Sequence, residues 1–425
     1  MLSRLVGAAA ALSFLLLASQ PAGGGGRATL PQQQQPPGVE QAAALMKNAR
    51  VAAAFAHVDR EREATLREWV AITEINAPSG HERPRAQFVE KLLRRQGLSD
   101  VRYDRAGNLV ATRKGTGGGP AVVFDSHLDT VFQPGLKIKA TIKDGRVYAP
   151  GVGDDTRNIE AMLAMVRALD AAKVKTKGDL VFLFTVEEES SMRGATEYIA
   201  GNKDAIGHYV ALDGGYEGFT YGCIGINWYR HHFVGPGGHT RSRTPPYSAT
   251  LPLARAIQRI YQLDVPRNLG SHINIGMLGG SEVPNAKAAD AWFSLDLRST
   301  SNEWIADAEK RIEQIVREEA EREKMTVKTE VVSRRAAAQV PGHRESYLVR
   351  TSEAVHRAMG FDSQPTPDCS NNASPALAAG VSAISTGAGP CSDSHALTEN
   401  CQIEPLYKGI KKLLLLGVAL AQLSD

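Results

Sequence analysis

The chain has 425 residues, of which 43% are hydrophobic, 22% are charged and 6% are aromatic. This length predicts two or three domains, and the composition excludes a collagen, a coiled coil and a wholly disordered chain. The formal net charge of +3 is too small to indicate binding to nucleic acid or to an anionic membrane surface.

The N-terminus has the layout of a secretory signal peptide. Arg4 precedes an apolar run over residues 5–18, and small and polar residues follow. The run is shorter than the roughly 20 apolar residues of a membrane-spanning helix, so an uncleaved anchor is the weaker alternative. We predict a signal peptide over residues 1–22, a disordered linker over 23–50, and export to the periplasm or the cell exterior.

Export makes the four cysteines candidates for disulfide bonds, because disulfides persist in oxidising compartments. Cys369, Cys391 and Cys401 fall in the last fifth of the sequence, whereas Cys223 lies far from them. A local bond between Cys391 and Cys401 is one expectation, but spacing alone does not determine the pairing. Buried free thiols are an equal alternative.

Apolar patterns alternate between two types in the next part of the chain. Helical spacing marks residues 66–73, 88–93 and 159–169, and continuous apolar runs mark buried strands at 121–125, 179–185 and 208–213. Strand, helix and strand in this order, with apolar strands, are typical of an α/β fold with a mostly parallel sheet sandwiched by helices. We assign residues 51–221 to this larger domain.

From about residue 222 the predicted order becomes β-α-β-β-α-β, which is the ferredoxin-like unit. The α/β pattern then resumes with a helix near 347–359, a strand at 381–386 and a closing helix from Leu406. The closing apolar run is too short for a membrane span and predicts a core helix. The smaller domain, residues 222–333, is therefore expected to be inserted before a second part of the larger domain, residues 334–425.

Acidic residues and a histidine stand after each predicted parallel strand and before one helix. They are His127 and Asp129, then Asp154 and Asp155 before the helix, then Glu187, Glu188 and Glu189, and finally Asp213. Ligands of open α/β sheets bind beyond the carboxyl ends of the strands, so these side chains are expected to share one crevice. So many carboxylates would repel one another unless a cation held them, and imidazole with carboxylate suits zinc, cobalt or manganese.

The spacing of His127 and Asp129 suggests a supporting contact. If the strand continues, the two side chains share a face, and Asp129 accepts a hydrogen bond from the imidazole and selects the tautomer that binds metal. A competing site of Cys391, His395 and Cys401 has ligand-like residue types. Its spacing fits no common zinc module, so we favour the site at the strand ends.

Six motifs in order resemble the M20 family of metallopeptidases, on the branch of peptidase T-like tripeptide aminopeptidases. They are SHLDTV at 126–131, GVGDDT at 151–156, TVEEESSMRGA at 185–195, ALDGG at 211–215, GPGGHT at 235–240 and SDSHALTEN at 392–400. The match begins at APSGHE, residues 77–82, and runs to the C-terminal helix. The resemblance implies a zinc-peptidase-like catalytic domain that carries an inserted lid or dimerisation domain.

The resemblance also implies a co-catalytic site for two divalent metal ions. His127 and Asp213 would hold one ion, and Glu189 and His395 would hold the other. Asp154 would bridge the two ions, and family sites have a non-proline cis peptide bond after this residue. Zinc is the expected metal, with cobalt and manganese as alternatives.

Glu188 is the general base that the resemblance implies. Two ions would lower the pKa of a water molecule, and Glu188 would take its proton and deliver it to the leaving amine. The family spacing, counted back from Gly194, selects Glu188 and Glu189 as base and ligand and leaves Glu187 without a role.

Three further residues are implied to contact the substrate. His239 resembles the family histidine that stabilises the oxyanion, often across a dimer interface. Asn285 and Arg298 lie in a segment that resembles the family's substrate-carboxylate region, where an arginine can meet a carboxylate with two parallel hydrogen bonds. A surface salt bridge is the alternative for Arg298.

Together these features predict an exported zinc-dependent peptidase that acts on short peptides from the N-terminus. A dipeptidase, a carboxypeptidase and an N-acyl amino acid deacylase are the alternatives within the family, since they use the same metals with a different cleft. A catalytically silent peptide-binding protein is disfavoured, because all five ligands and the base are present. We expect a short peptide or acyl-amino-acid substrate, a homodimer through the inserted domain, no nucleic acid and no stable membrane insertion.

Overall fold

The described part of the chain begins with two helices that the sequence did not indicate. The computed structural model describes residues 38–281, 283–362 and 364–424, so the predicted signal peptide and the first part of the linker lie outside it. The prediction of a linker up to residue 50 is wrong for its last part, because helices cover 39–47 and 49–60. Ala42 and Val51 are fully buried in the main core, and the Asn48 side chain caps the second helix.

The secondary structure follows the predicted alternation of strands and helices. In chain order the helices are α1 (Val39–Lys47), α2 (Ala49–Arg60), α3 (Arg62–Thr73), α4 (Arg83–Arg95), α5 (Thr156–Ala171), α6 (Glu188–Ser191), α7 (Arg193–Asn202), α8 (Thr250–Ile260), α9 (Asn302–Arg322), α10 (Tyr347–Ala358), α11 (Ala373–Ala378) and α12 (Glu404–Ala421). The strands are β1 (Asp100–Tyr103), β2 (Leu109–Arg113), β3 (Val122–His127), β4 (Thr141–Lys143), β5 (Arg146–Tyr148), β6 (Lys175–Thr176), β7 (Leu180–Thr185), β8 (His208–Ala211), β9 (Gly225–Val234), β10 (Gly238–His239), β11 (His272–Asn274), β12 (Leu278–Gly279), β13 (Ala286–Lys287), β14 (Asp290–Ser299), β15 (Thr326–Arg335), β16 (Ala383–Ser385), β17 (Cys391–Ser392), β18 (Asn400–Gln402) and β19 (Leu423–Ser424).

The larger domain is built on a six-stranded sheet with the order β1-β2-β7-β3-β8-β16. Strands β7, β3, β8 and β16 are parallel, and β1 and β2 are antiparallel additions at one edge. Val122 and Phe124 of β3 face the core formed with α5 and α12, whereas Val123 faces the core formed with α7 and α11. Because both faces of the sheet are covered, β3 is buried along its whole length, and the predicted mostly parallel, helix-sandwiched sheet is confirmed.

Helix α12 contains the apolar run near the C-terminus. Its side chains from Leu413 to Ala421 are buried against the main core, so the prediction of a core helix is confirmed. Among the described residues, no helix combines the length and the apolar character needed to cross a bilayer.

The inserted unit has its own antiparallel sheet with the order β11-β14-β9-β15. Helices α8 and α9 supply Leu253, Ile260 and Val316 to the core that they share with Phe233 and Phe293 of this sheet. In chain order the strands are arranged 4-1-3-2, which is the ferredoxin-like arrangement that the element order predicts. The predicted domain boundary at residue 333 falls inside β15, because this strand stays paired with β9 as far as residue 335.

All four cysteines are paired in two disulfide bonds. The expected local bond joins Cys391 to Cys401, which are partners across the β17–β18 ladder. A second bond joins Cys223, which precedes β9, to Cys369, which precedes α11. The alternative of free thiols is therefore wrong for this structure.

A partly buried histidine at the start of β8 is expected to make the folded protein sensitive to acid. His208 stacks on Tyr347, and burial lowers the pKa of His208 to about 4. As the pH falls from 6.5 towards 4, the unfolded chain takes up a proton that the folded chain does not, so stability is lost in this window. His208→Phe keeps the stacking and should reduce the loss between pH 7 and pH 4.5 by about 2 kcal/mol.

Urea unfolding of the wild type and His208→Phe at the two pH values measures this difference. His272→Phe is the matched control, since His272 is exposed on β11, and it should show the full acid loss of the wild type. Equal acid losses in the wild type and His208→Phe would contradict the prediction.

Candidate metal centre

The carboxyl ends of three parallel strands carry the acidic and histidine side chains that the sequence singles out. His127 is the last residue of β3, and Asp213 stands two residues after the end of β8. After β7, Glu187 adopts a left-handed backbone conformation that turns the chain into the short helix α6, where Glu188 and Glu189 are the first two residues. Since β3, β7 and β8 are adjacent and parallel, these side chains share one edge of the sheet.

Asp154 lies between two histidines that are far apart in the sequence. Its Oδ1 is 2.8 Å from His127 Nε2, and its Oδ2 is 3.2 Å from His395 Nε2. His395 Nε2 is also 3.2 Å from Glu189 Oε1. The carboxylate of Asp154 therefore offers one oxygen to each side, which is the geometry expected of the predicted bridging residue.

Further close groups of ligand atoms surround this pair of contacts. In each group the atoms lie within 4.8 Å of one another, and the groups are His127 with Asp154 and Asp155, His127 with Glu188 and Glu189, and Asp154 with Glu189 and His395. The predicted non-proline cis peptide bond between Asp154 and Asp155 is also confirmed.

Asp213 lines the same cavity as Asp154, which has a volume of about 430 Å³. Burial raises the pKa of its carboxyl group, and the nearby Asp154 charge adds to the rise. Its backbone oxygen accepts a 2.6 Å hydrogen bond from the Ser385 hydroxyl of β16, which fixes the loop after β8. Asp213 is not a member of the three close groups above, so its connection to the centre is the shared cavity and this electrostatic coupling.

Asp129 supports both His127 and the turn after β7. The His127 Nδ1 atom is 3.1 Å from the Asp129 carbonyl oxygen and 3.4 Å from its carboxylate. The shorter contact of the ring is thus to the carbonyl oxygen, and the carboxylate that the sequence predicts lies at the longer distance. The carboxylate instead accepts backbone hydrogen bonds from Glu188 and Glu189, at 3.0 and 3.1 Å, and one from the Ser79 hydroxyl at 2.6 Å.

Two acidic residues that sequence reasoning left without a role hold the loop of Asp154. Glu399 is fully buried and accepts hydrogen bonds from the backbone N–H groups of Gly151, Gly153 and Asp154 at 2.6, 2.8 and 2.8 Å. Asp155 accepts hydrogen bonds from the Ser126 hydroxyl and from the His127 backbone N–H. Asp155 and Glu399 both lie within the six sequence motifs. Their hydrogen-bond partners are distant in sequence, so the spacing of residues within a motif does not predict these contacts.

Burial and repulsion act together on the carboxylates of α6. Burial raises the pKa of Glu188 well above its ordinary value, and Asp213 and Glu189 reinforce the rise against the opposing effect of His127. Burial likewise raises the pKa of Glu189 to about 7, with a contribution from Asp154. Without a cation, this part of the site resists carrying its full negative charge.

The pKa values of the two histidines are raised as well, which in their case favours the charged form. Burial alone would lower the pKa of His127, but the carboxylates of Asp155 and Asp129 outweigh burial and raise it well above the ordinary value. The hydrogen bond to Asp154 raises the pKa of His395 to about 9. The centre therefore has an excess of negative charge that stabilises bound cations. Metal ions bind to such sites in place of protons.

The residues present fit a divalent cation such as zinc. The converging atoms are imidazole nitrogens and carboxylate oxygens, which are zinc ligands in proteins. Glu189 Oε1 is buried and accepts no hydrogen bond, although His395 Nε2 is 3.2 Å away. A buried carboxylate oxygen without a partner is costly unless a charged group binds it.

The competing site of Cys391, His395 and Cys401 is excluded by the disulfide bond between the two cysteines. A thiolate is required for metal binding through cysteine, and a disulfide offers none. His395 instead faces Asp154 and Glu189.

The three predicted substrate contacts lie in the inserted unit. His239 and Asn285 are exposed neighbours, because the Thr240 backbone N–H donates a hydrogen bond to the Asn285 carbonyl oxygen beside the β10–β13 ladder. Arg298 pairs with Asp296 on the same strand at 3.0 Å, which is the surface salt bridge alternative. In the part of the chain that the structure describes, none of these three residues forms a hydrogen bond or ion pair with the metal-centre residues.

Comparison with known proteins points to one family. Residues 123–416 match the model of peptidase family M20/M25/M40. A tripeptidase from Staphylococcus aureus has a similar fold, with a TM-score of 0.76 and 22% identity over 85% of this chain and 99% of its own. Aminopeptidase PepT from Bacillus cereus gives a TM-score of 0.73 and 21% identity, with the same coverage of 85% and 99%.

A curated relative matches a shorter region. Carboxypeptidase G2 from a Pseudomonas species is 26% identical over 239 residues, which are 53% of this chain and 57% of that enzyme. The chain thus matches little more than half the length of this relative. The relatives therefore include enzymes named for acting at opposite ends of a peptide.

Proposed function

Because the chain belongs to peptidase family M20/M25/M40 and is a metallopeptidase of that family, we propose that it is an exported dinuclear zinc enzyme that hydrolyses short peptides from the N-terminus. The observation that carries the proposal is the position of Asp154, whose two carboxylate oxygens face His127 and His395 separately. One carboxylate between two imidazoles is the arrangement needed to bridge a pair of cations.

We assign the metal ligands in two sets around Asp154. His127 and Asp213 would hold one ion, and Glu189 and His395 the other. Zinc is the proposed metal, and cobalt or manganese are the alternatives for this oxygen and nitrogen donor set. When bound, the two ions would supply Lewis-acid activation of a water molecule and of the scissile carbonyl group.

Glu188 is the residue that we propose transfers a proton from the attacking water to the leaving amine. Its carboxylate is buried within 4.8 Å of the ligand atoms of His127 and Glu189, and its backbone is fixed by the carboxylate of Asp129. In the proposed reaction Glu188 accepts a proton from the attacking water and delivers it to the amine that leaves when the peptide C–N bond breaks. Asp129 acts through the residues that it orients, so we describe it as a positioning residue.

The proposal that the enzyme acts at the N-terminus of a peptide rests on the charged side chains of the cavity. The cavity beside Asp154 has a volume of about 430 Å³, which suits a small ligand, and Glu217 adds an exposed carboxylate to its wall. The Glu217 carboxylate would favour the ammonium group of a free peptide N-terminus, although Arg157 of α5 lines the same cavity. The similarity to carboxypeptidase G2 keeps a carboxypeptidase as the second candidate.

The inserted unit is proposed to complete the substrate site. His239 would donate a hydrogen bond to the oxyanion, and its neighbour Asn285 would contact a peptide terminus. Arg298 remains a proposed terminus-binding residue that must exchange its Asp296 partner for the substrate. Because His239 is exposed, a second copy of the chain is a source of this contact, and we propose a homodimer through this unit.

Hydrolysis of matched peptides tests the function. The set is a free tripeptide, its N-acetyl form and its C-terminal amide, with products separated by chromatography and identified by mass spectrometry. An aminopeptidase cleaves the free and amidated peptides and leaves the acetylated peptide intact, whereas a carboxypeptidase requires the free carboxylate. Absence of cleavage of all three, with divalent metal present, would contradict the proposal and favour a peptide-binding protein.

Export is proposed from the N-terminal residues and agrees with the two disulfide bonds, since disulfides persist in oxidising compartments. Expression of the full chain in a bacterial host, followed by fractionation and mass measurement of the mature N-terminus, tests it. We expect the protein outside the cytoplasm, with its N-terminus near residue 23. Full-length protein confined to the cytoplasm would contradict export.

A further inference from the structure

The Cys391–Cys401 disulfide closes the hairpin that carries His395. Cys391 lies on β17 and Cys401 on β18, and the loop between these strands contains both His395 and Glu399. His395 is a proposed metal ligand, and Glu399 holds the backbone of the Asp154 loop. The disulfide thus lies at the base of a loop that makes two separate contributions to the metal centre.

The same disulfide also packs against the Asp154 loop from the other side. A Cβ atom at Gly153 would lie 2.7 Å from each of the two sulfur atoms, so only a glycine allows this approach. Arg157 of α5 donates a hydrogen bond from NH1 to Cys391 Sγ at 3.0 Å. The sulfur atoms therefore touch the residue next to Asp154 as well as closing the His395 loop.

The His395 loop needs such support. His395 and Asp393 have φ values of +67° and +61°, a region that few residues other than glycine adopt, although aspartate and histidine adopt it more often than most. The His395 side chain is 53% exposed, so packing does little to hold the ring. The ring nevertheless reaches Asp154 Oδ2 and Glu189 Oε1, each 3.2 Å from its Nε2 atom.

We propose that the Cys391–Cys401 disulfide is a positioning element of the metal centre, and that its reduction to two thiols releases the His395 loop and weakens metal binding. The inference rests on the proposed metallopeptidase function. In the reduction, a phosphine reductant supplies two electrons and takes up the oxygen of one water molecule, and the water protons complete the two thiols.

The test compares two double variants that each remove one disulfide. Cys391→Ser with Cys401→Ser should weaken zinc binding about tenfold or more, the range found when groups that orient metal ligands are lost. Cys223→Ser with Cys369→Ser is the matched control, because this bond lies outside the hairpin, and its zinc affinity should stay within about twofold of the wild type. Zinc affinity is measured by competition with a chromophoric chelator, and circular dichroism checks the fold.

A second measurement avoids dependence on the folding of the first variant. In the control variant only Cys391–Cys401 remains, so treatment with the phosphine opens a defined bond. Alkylation then blocks the two thiols, which would otherwise offer thiolate ligands to zinc, and mass spectrometry verifies the product before zinc affinity is measured. The same loss of zinc affinity is expected, and raising the zinc concentration should restore tripeptide hydrolysis. Unchanged zinc affinity after removal or reduction of this bond would overturn the inference.

The outcomes separate the two proposals. If the wild type binds zinc and cleaves peptides but loss of Cys391–Cys401 changes neither, the positioning role alone is wrong. If the wild type binds no divalent ion, the proposed function itself fails. Equal loss of zinc affinity in both double variants would also overturn the inference, because the effect would then belong to overall stability.

Discussion

Replacing Glu188 by glutamine is expected to lower kcat for tripeptide hydrolysis by about 10² to 10⁴, the usual contribution of a general base. Glutamine has nearly the same shape but cannot accept the proton from water. The backbone N–H of residue 188 still donates to Asp129, so the fold of the turn and the bound metal should be unchanged. Steady-state kinetics with metal analysis of the same sample measures both.

Glu187→Gln is the matched control for this prediction, because it changes the adjacent residue of the same acidic triplet. The Glu187 carboxylate pairs with Arg193 at 2.6 Å in a partly buried ion pair, and we expect its loss to leave kcat within about twofold, because ion pairs near the surface contribute little. If Glu188→Gln hydrolysed peptides like the wild type, the base would be misassigned. A loss confined to Glu187→Gln would show that the roles within the triplet are shifted by one residue.

Replacing Asp154 by alanine is expected to have the largest effect on metal content. This carboxylate is the only proposed ligand whose two oxygens face both histidines, so its removal should disrupt both ion positions. We expect the stoichiometry to fall from two ions per chain to one or none, and peptide hydrolysis to fall by more than about 10²-fold, beyond the cost of losing a group that only orients a ligand. Elemental analysis after dialysis measures the stoichiometry.

Asp204→Ala serves as the control for the loss of an aspartate, since Asp204 is exposed and precedes the start of β8, whereas the candidate site lies after the ends of the strands. It should keep two ions and full activity. Retention of two ions by Asp154→Ala would contradict the bridging assignment.

In the wild type, a chelator should lower the melting temperature, because the buried carboxylates then repel one another and the stabilisation by bound ligand is lost.

The buried strands of the six-stranded sheet are the part of the fold that the sequence predicts best. Apolar runs at 121–125 and 179–185 predict buried strands, and β3 and β7 are these strands, paired in parallel. This was predictable because a strand buried on both faces must be apolar at every position. The N-terminal helices were not predictable in the same way, since their alanine-rich sequence buries a narrow stripe only because α10 and α12 lie against it.

Some residues of the candidate metal centre were likewise predictable from local sequence, and others were not. Residue type and position after a strand were enough to single out His127, Asp213 and the acidic triplet at 187–189, because parallel strands bring their carboxyl ends to one edge. The family motif was needed to separate Glu188 from Glu187, which differ in environment but not in type.

The sequence by itself determined the chemistry of this protein: which side chains are able to bind a cation, and that strand order brings them to one edge of a sheet. Tertiary structure alone decided what holds them there. Glu399 reaches the loop of Asp154 across 245 residues, and Cys223 pairs with Cys369 across 146 residues. Such contacts depend on distances between backbone segments, and local residue patterns carry no record of those distances.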